Sequence, residues 1–235
     1  MRVLIAVDKF KGSLPALAVA EAVASGLRAG GLDWEADLCP IADGGEGTTE
    51  AVVGALKGEW VTLATEDALG RPLQARYGLV RGTDGALEAV MEMSAASGLA
   101  LVADAPLNPS AASTYGTGLM LRDAVARGVA RVRIGIGGSA TNDGGIGLAL
   151  ALGYRFLNVA GEEVRALPER FEEVARIERP ADTLPLPEVV VACDVDNPLL
   201  GERGATRIYG GQKGVTAEEM AFFEKNIRPV LVAKC

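Results

Sequence analysis

Histidine is absent from all 235 residues. That absence excludes Ser-His-Asp and Cys-His nucleophile systems, His-ligated zinc and an imidazole base, leaving carboxylates, Lys, Cys or Tyr for proton transfer. Cysteine is scarce: Cys39, Cys193 and Cys235 are odd in number, widely spaced and form no C-x-x-C pair. Neither a disulfide framework nor a thiolate zinc site is expected, and the usage suits a reducing compartment. No stretch reaches the roughly 18 apolar residues of a membrane span, and the apolar run Val3 to Val7 is too short for a signal peptide. The chain is therefore read as cytoplasmic. Positive charge is also in deficit, with 23 Lys and Arg against 31 Asp and Glu, net −8. Nucleic acid and anionic membrane are not expected partners, since either needs a positive face. A small anionic ligand would need a few local lysines or a bound cation to offset the overall field.

What is plentiful is glycine, 30 residues, and apolar residues, 49%. The length allows one large or two small domains with a real core. Val3 to Val7 reads as a strand buried on both faces. Lys9-Phe10-Lys11-Gly12 leads from it to Ser13, a good N-cap, and to Leu17, Ala20, Ala24 and Leu27 at helical spacing before Gly30-Gly31. The same strand, loop and helix recur over Glu35 to Ile41, Ala42 to Gly47 and Thr48 to Leu56. They recur again over Arg131 to Ile136, Gly137 to Gly145 and Ile146 to Leu152. This alternation predicts an α/β fold: a Rossmann-like core whose parallel sheet is flanked by helices and binds ligand at the carboxyl ends of its strands. Trp60 to Thr65, Gln74 to Val80 and Ala86 to Met93 differ in kind, being consecutive strands separated only by turn residues. They predict a smaller, partly antiparallel inserted domain at about 60–110, with the core formed by 1–59 and 111–235. Pro180 to Pro187 reads as a connector before the buried strand Val189 to Ala192.

Four features after apolar runs carry candidate chemistry. Ile136 to Gly145 empties a strand into a glycine nest opening a helix, where Gly137, Gly138, Ser139 and Thr141 suit a phosphate and Asn142 and Asp143 offer oxygens to a metal; a simple turn explains the glycines equally well. Pro40 to Thr48 brings Asp43 and Glu46 onto a turn with Gly44 and Gly45, as ligands or as caps. Cys193-Asp194-Val195-Asp196-Asn197-Pro198 puts two aspartates on one side of an extended backbone, suited to Mg²⁺ or to a base. Positive charge comes from Lys9 and Lys11 near Asp8 and from Gln212-Lys213-Gly214. Thr114 to Gly118 opens a further helix with Thr117 as its expected cap. A Walker-type G-x-x-x-x-G-K-[ST] loop is absent. Gly135-x-Gly137-x-x-Ala140 has the form of a dinucleotide fingerprint, but no acidic strand end follows about 20 residues on, so an NAD-dependent oxidoreductase ranks second.

Seven stretches in order resemble the bacterial two-domain glycerate kinases. They are Asp8 to Leu14, Pro40 to Thr48, Met93 to Leu99, Thr114 to Gly118, Gly137 to Gly145, Asp194 to Leu199 and Gln212 to Gly214. The resemblance implies a cleft site, ATP with Mg²⁺, D-glycerate as acceptor and 2-phosphoglycerate as product. Carried onto this sequence, it implies Asp194 as the base, or as a Mg²⁺ ligand with Asp196, and Lys11 and Lys213 meeting glycerate carboxylate or phosphates. Asp143 is a further expected metal ligand. Asp8, Lys9, Ser13, Asp43, Gly44, Gly45, Glu46, Asn142, Asn197 and Gln212 are expected at the substrate or nucleotide. Family members continue past the segment matching Gln212 to Gly214 through another Gly/Ala-rich loop, whereas this sequence stops at Cys235. A shortened form, or one completed by another chain, is implied. Uncovered sheet edges and apolar surface would favour a homo-oligomer, or a non-catalytic nucleotide-binding or assembly role.

Overall fold

The computed structural model describes residues 1–32, 34–165, 168–181, 185–198, 201–223 and 225. Strand β1 (Arg2–Val7) leads to helix α1 (Ala16–Ala29) and strand β2 (Glu35–Pro40). The two strands pair in parallel as a sheet of their own, and α1 packs Ala20 and Ala24 over Ile5. Helix α1 starts later than expected. Gly12 takes φ +73, Phe10 and Leu14 close a turn on each other, and Pro15, lacking an N–H, occupies the N-cap position. Ser13 is therefore part of the turn and not the cap.

Helix α2 (Thr48–Leu56) has the expected bounds and is followed by β3 (Glu59–Glu66), β4 (Pro72–Arg81) and β5 (Leu87–Glu92). A short helix α3 (Ser94–Ser97), helix α4 (Tyr115–Ala126), strand β6 (Arg131–Gly135) and helix α5 (Ile146–Ala151) come next. Beyond them lie β7 (Arg155–Leu157), β8 (Arg176–Glu178), β9 (Glu188–Ala192) and helix α6 (Ala205–Tyr209). The expected antiparallel strands are present, and they extend the parallel ones in one sheet of order β3-β4-β5-β6-β9. Pairings β5–β6 and β6–β9 are parallel, so the sheet is mixed, with helices on both faces. The connector expected at Pro180 to Pro187 falls partly on residues 182–184, outside the described residues.

Alternation along the strands divides the core. Ala75, Tyr77, Ala89 and Met91 face α4, packing on Met120, Leu121 and Ala124. Val80 and Val90 face the other way, onto Val53 of α2. Glu92 shares the parity of Val90 and so points at the α2 side from the end of β5. Tyr77, fully buried, donates its hydroxyl to Asp123 at 2.6 Å, which keeps a phenol in an apolar core satisfied. The carboxyl ends of β1, β2, β5, β6 and β9 deliver the loops that follow.

Candidate active site

Four of those loops touch through their backbones. Glycine makes this possible: a Cβ on Gly135 would run into the carbonyl of Gly44, and one on Gly137 would lie 2.7 Å from Gly45 Cα. Gly137 N–H donates to Gly44 O at 3.2 Å, and Ile136 N–H to Ala192 O at 3.3 Å. On the other flank, Met93 N–H bonds Gly135 O and Leu99 N–H bonds Gly138 O. The loops after β2, β5, β6 and β9 thus form one surface.

The nest after β6 is its most distinctive part. Lys213, on a one-turn 3₁₀ helix, donates Nζ to Ser139 Oγ at 2.9 Å and to Thr141 O at 2.6 Å. Among the described residues no carboxylate pairs with it. Burial pulls this ammonium down to about 8, against the opposing pull of the Asp143 charge. The backbone N–H groups of Gly138, Thr141 and Asn142 have no acceptor among the described residues. The buried Asn142 Nδ2 is also unpaired, while its Oδ1 accepts from Thr206 of α6 at 3.2 Å. A lysine and several unmet donors around one loop make a seat for an oxyanion.

Asp143 plays a different part from the metal ligand expected of it. It is 2% exposed, and its carboxylate accepts from Thr114 N–H and Oγ1, Gly145 N–H and Gly147 N–H, at 2.7 to 3.1 Å. It ties the starts of α4 and α5 together. The N-cap of α4 is accordingly Thr114; Thr117, the expected cap, is buried and bonded to Ser97 at 2.8 Å. Asp196 pairs with Arg203 at 3.1 Å. Asp143, Asp194 and Asp196 are not gathered into a ligand set: among the described residues no three His, Cys, Asp or Glu side chains are placed to hold a metal ion. Asp194 is exposed and its carboxylate has no partner among the described residues, two residues beyond Ala192, and Asn197 fixes that loop through Tyr209 and the Arg203 carbonyl.

The opposite end carries Lys9 between Asp8, at 3.7 Å, and Asp43, at 3.4 Å. Gly45 N–H, first, and Lys9 hold the Asp43 carboxyl below its ordinary value, against its partial burial. Lys11, Ser13, Glu46 and Gln212 are exposed, and the Glu46 carboxylate faces Gly138. A cavity of about 550 Å³ opens beside Asp8 to Leu17, Leu38 to Ala42 and the face of α2 turned away from the large sheet, at Glu50, Ala51, Gly54 and Ala55.

Sequence reasoning overlooked Glu92. Its buried carboxylate accepts from Thr49 N–H at 2.6 Å, Gly47 N–H at 3.3 Å and Ser94 Oγ at 3.0 Å, and it forms no salt bridge among the described residues. It caps the amino end of α2 from across the sheet and fixes the loop bearing Asp43 and Glu46. The available signal was its parity with Val90, just before Met93-Ser94.

No helix among the described residues is long and apolar enough to cross a membrane. The model of the glycerate kinase family matches residues 3–233. A glycerate kinase of Halalkalibacterium halodurans is 46% identical over 216 residues, covering 91% of this chain and 56% of that protein. Glycerate 2-kinase of Escherichia coli K12 is 39% identical over 233 residues, covering 97% and 59%. The crystal structure of a Salmonella typhimurium LT2 protein, provisionally described as glycerate kinase 2, superposes with a TM-score of 0.82 at 40% identity, covering 97% of this chain and 60% of that one. The chain thus spans less than two thirds of the length of these relatives. On the family match and these identities, the chain belongs to the glycerate kinase family.

Proposed function

We propose that the protein phosphorylates D-glycerate from ATP, giving 2-phosphoglycerate. The observation that carries this reading is the nest after β6, where Lys213 and unmet backbone donors surround a place for a phosphoryl group. Phosphoryl transfer asks chiefly for positioning and charge neutralisation, which such a seat supplies. The acceptor hydroxyl oxygen forms the new P–O bond, the bond to the ADP oxygen breaks, and Asp194, with its carboxylate free, takes the hydroxyl proton. Lys213 meets the transferring phosphoryl oxygens, and Lys11, exposed beside Asp8, meets the phosphates nearer the nucleoside.

The donors fit Mg²⁺ carried by a nucleotide, which needs only one or two carboxylates beside phosphates and water; they do not fit an all-protein cage. Glu46 is the carboxylate that would hold it, through water, and the ion would neutralise phosphate charge there. The name of the E. coli relative, a glycerate 2-kinase, supports the 2-position. Exposed free Cys39 and Cys193 are consistent with a reducing cytoplasm. Dinucleotide binding is not favoured, because Gly137 and Ala140 already give their N–H groups to Gly44 and Ser97.

The test is ADP release coupled to a reporter enzyme, with Mg-ATP and with or without D-glycerate, and the product's phosphorus position read by NMR. Glycerate-dependent turnover that disappears in Asp194→Asn is expected. Turnover that is independent of glycerate, or unchanged in the variant, would reject the assignment of acceptor or base.

A further inference from the structure

We infer that the cavity at the carboxyl ends of β1 and β2 is the seat of the nucleotide's purine and ribose, leaving the acceptor acid on the far side of the Lys213 nest. This rests on the reading of the site as an ATP-dependent kinase and adds to it which part of the surface takes which end of which substrate.

Position is the first argument. In α/β folds ligands bind beyond the carboxyl ends of parallel strands, and β1 and β2 are the parallel pair whose ends open directly into this space. Size is the second. A volume of about 550 Å³ lies within the range of roughly 300–1,000 Å³ that encloses drug-sized molecules, and a three-carbon acid would leave most of it empty. Lining is the third. Phe10, Leu14, Leu17, Leu38 and Ile41 wall the cavity with exposed apolar surface, and Phe10 offers an aromatic ring with 62% exposure. A small, fully solvated acid gains nothing from such walls, whereas a flat heterocycle gains burial and stacking.

Continuity with the phosphate seat completes the case. Glu46 lines the cavity and also approaches Gly138: a Cβ there would stand 3.9 Å from Glu46 Oε1. Lys9 lines it too, and its Nζ and Gly137 Cα would both stand 3.9 Å from a Cβ on Gly45. The inner end of the cavity therefore meets the nest, which is where a nucleoside must end if its terminal phosphate is to sit by Lys213. Glu50 stands at the lining as an acceptor for ribose hydroxyls.

Cys39 is exposed on the cavity lining and reports occupancy. In a Cys193→Ser, Cys235→Ser background its alkylation rate is followed by mass spectrometry. ATP and adenosine are expected to slow it at least tenfold, and tripolyphosphate and D-glycerate to leave it unchanged. Nucleotide binding by calorimetry without protection of Cys39 would overturn this inference and leave the kinase reading standing. Protection by D-glycerate would overturn it by giving the cavity to the acceptor. A thiol already unreactive without ligand would overturn it by showing that polypeptide fills the space. No nucleotide binding at all would overturn both readings. A second variant is independent of thiol chemistry. A Cβ at Gly54 of α2 meets nothing within 4 Å and that residue lines the cavity, so Gly54→Phe fills the space without a backbone clash. It is expected to raise KM for ATP at least tenfold and leave KM for glycerate unchanged; the reverse split would overturn the inference.

Discussion

Lys213 and Lys9 stand at opposite ends of one loop surface in contrasting company. Lys213 is half-buried against a hydroxyl and a carbonyl, with no ion pair among the described residues, whereas Lys9 lies between Asp8 and Asp43. In a low-dielectric setting an unpaired ammonium costs free energy that an arriving anion returns, so Lys213 is poised for a phosphoryl group. Lys9 has two carboxylates near it, and its local charge sum is negative. Its work is to hold the 43–45 turn against the end of β1. Two lysines in glycine loops, alike in sequence, differ because one is surrounded by neutral oxygens and the other by carboxylates.

The most severe way to break this comparison is to remove each charge. Lys213→Met is expected to lower kcat/KM by about 100-fold or more, in the range seen when one preorganised donor to a developing oxyanion is lost. Lys9→Met should lower it about tenfold, through the displaced turn. Steady-state kinetics with both substrates varied decides, and a larger loss in the Lys9 variant would invert the assignment.

A second test separates two aspartates that read alike in sequence. Asp143→Ala strands the N–H groups of Thr114, Gly145 and Gly147 in a buried place and should cost about 3 kcal/mol of stability. Asp194→Ala, at an exposed site, should change stability by no more than about 0.5 kcal/mol while abolishing turnover. Urea midpoints measure both; equal costs would erase the distinction.

That distinction also marks the limit of what the sequence discloses. Runs of Gly with Asp, Asn or Ser after β-branched strands announced the loops after β1, β2, β6 and β9, because such backbones need small residues and strand ends need turns. Thr48 to Leu56 was legible for the same local reason. Joining β3–β5 to β6 was not, since a sheet's lateral partner is chosen by packing remote in sequence. The start of α1 was misread because Ser13 looks like a cap only until the Phe10–Leu14 turn and Pro15 are in place. Asp143, Asp194 and Asp196 are equivalent as letters. Only tertiary contact shows the first saturated with donors, the second free and the third paired with Arg203.

Glu92 offers a smaller test, at the Lys9 end. Glu92→Gln keeps the shape but presents an amide N–H to donors, so the hold on Gly47 and Thr49 weakens, at a cost of about 2 kcal/mol. Amide exchange should quicken at residues 47–49 and stay unchanged at the nest around Ser139. Equal quickening at both would mean that the two ends of the surface yield as one unit.

The gentlest probe changes only pH. In the unfolded chain Lys213 titrates near its ordinary value of about 10.4, and in the fold at about 8. Between those values the unfolded chain holds more protons, so this residue makes stability rise with pH above 8 and adds no slope below it. The rise should amount to about 1 kcal/mol between pH 8 and 9, and the difference between the parent protein and Lys213→Met isolates it from other groups. An anion seated on Lys213 stabilises its charged form and draws the titration upward again. Nucleotide binding at pH 8.5 should therefore take up protons, visible in calorimetry as a dependence of apparent enthalpy on the buffer's ionisation heat. Proton uptake that persists in Lys213→Met would mean that another group takes the proton and would separate the titration from this lysine.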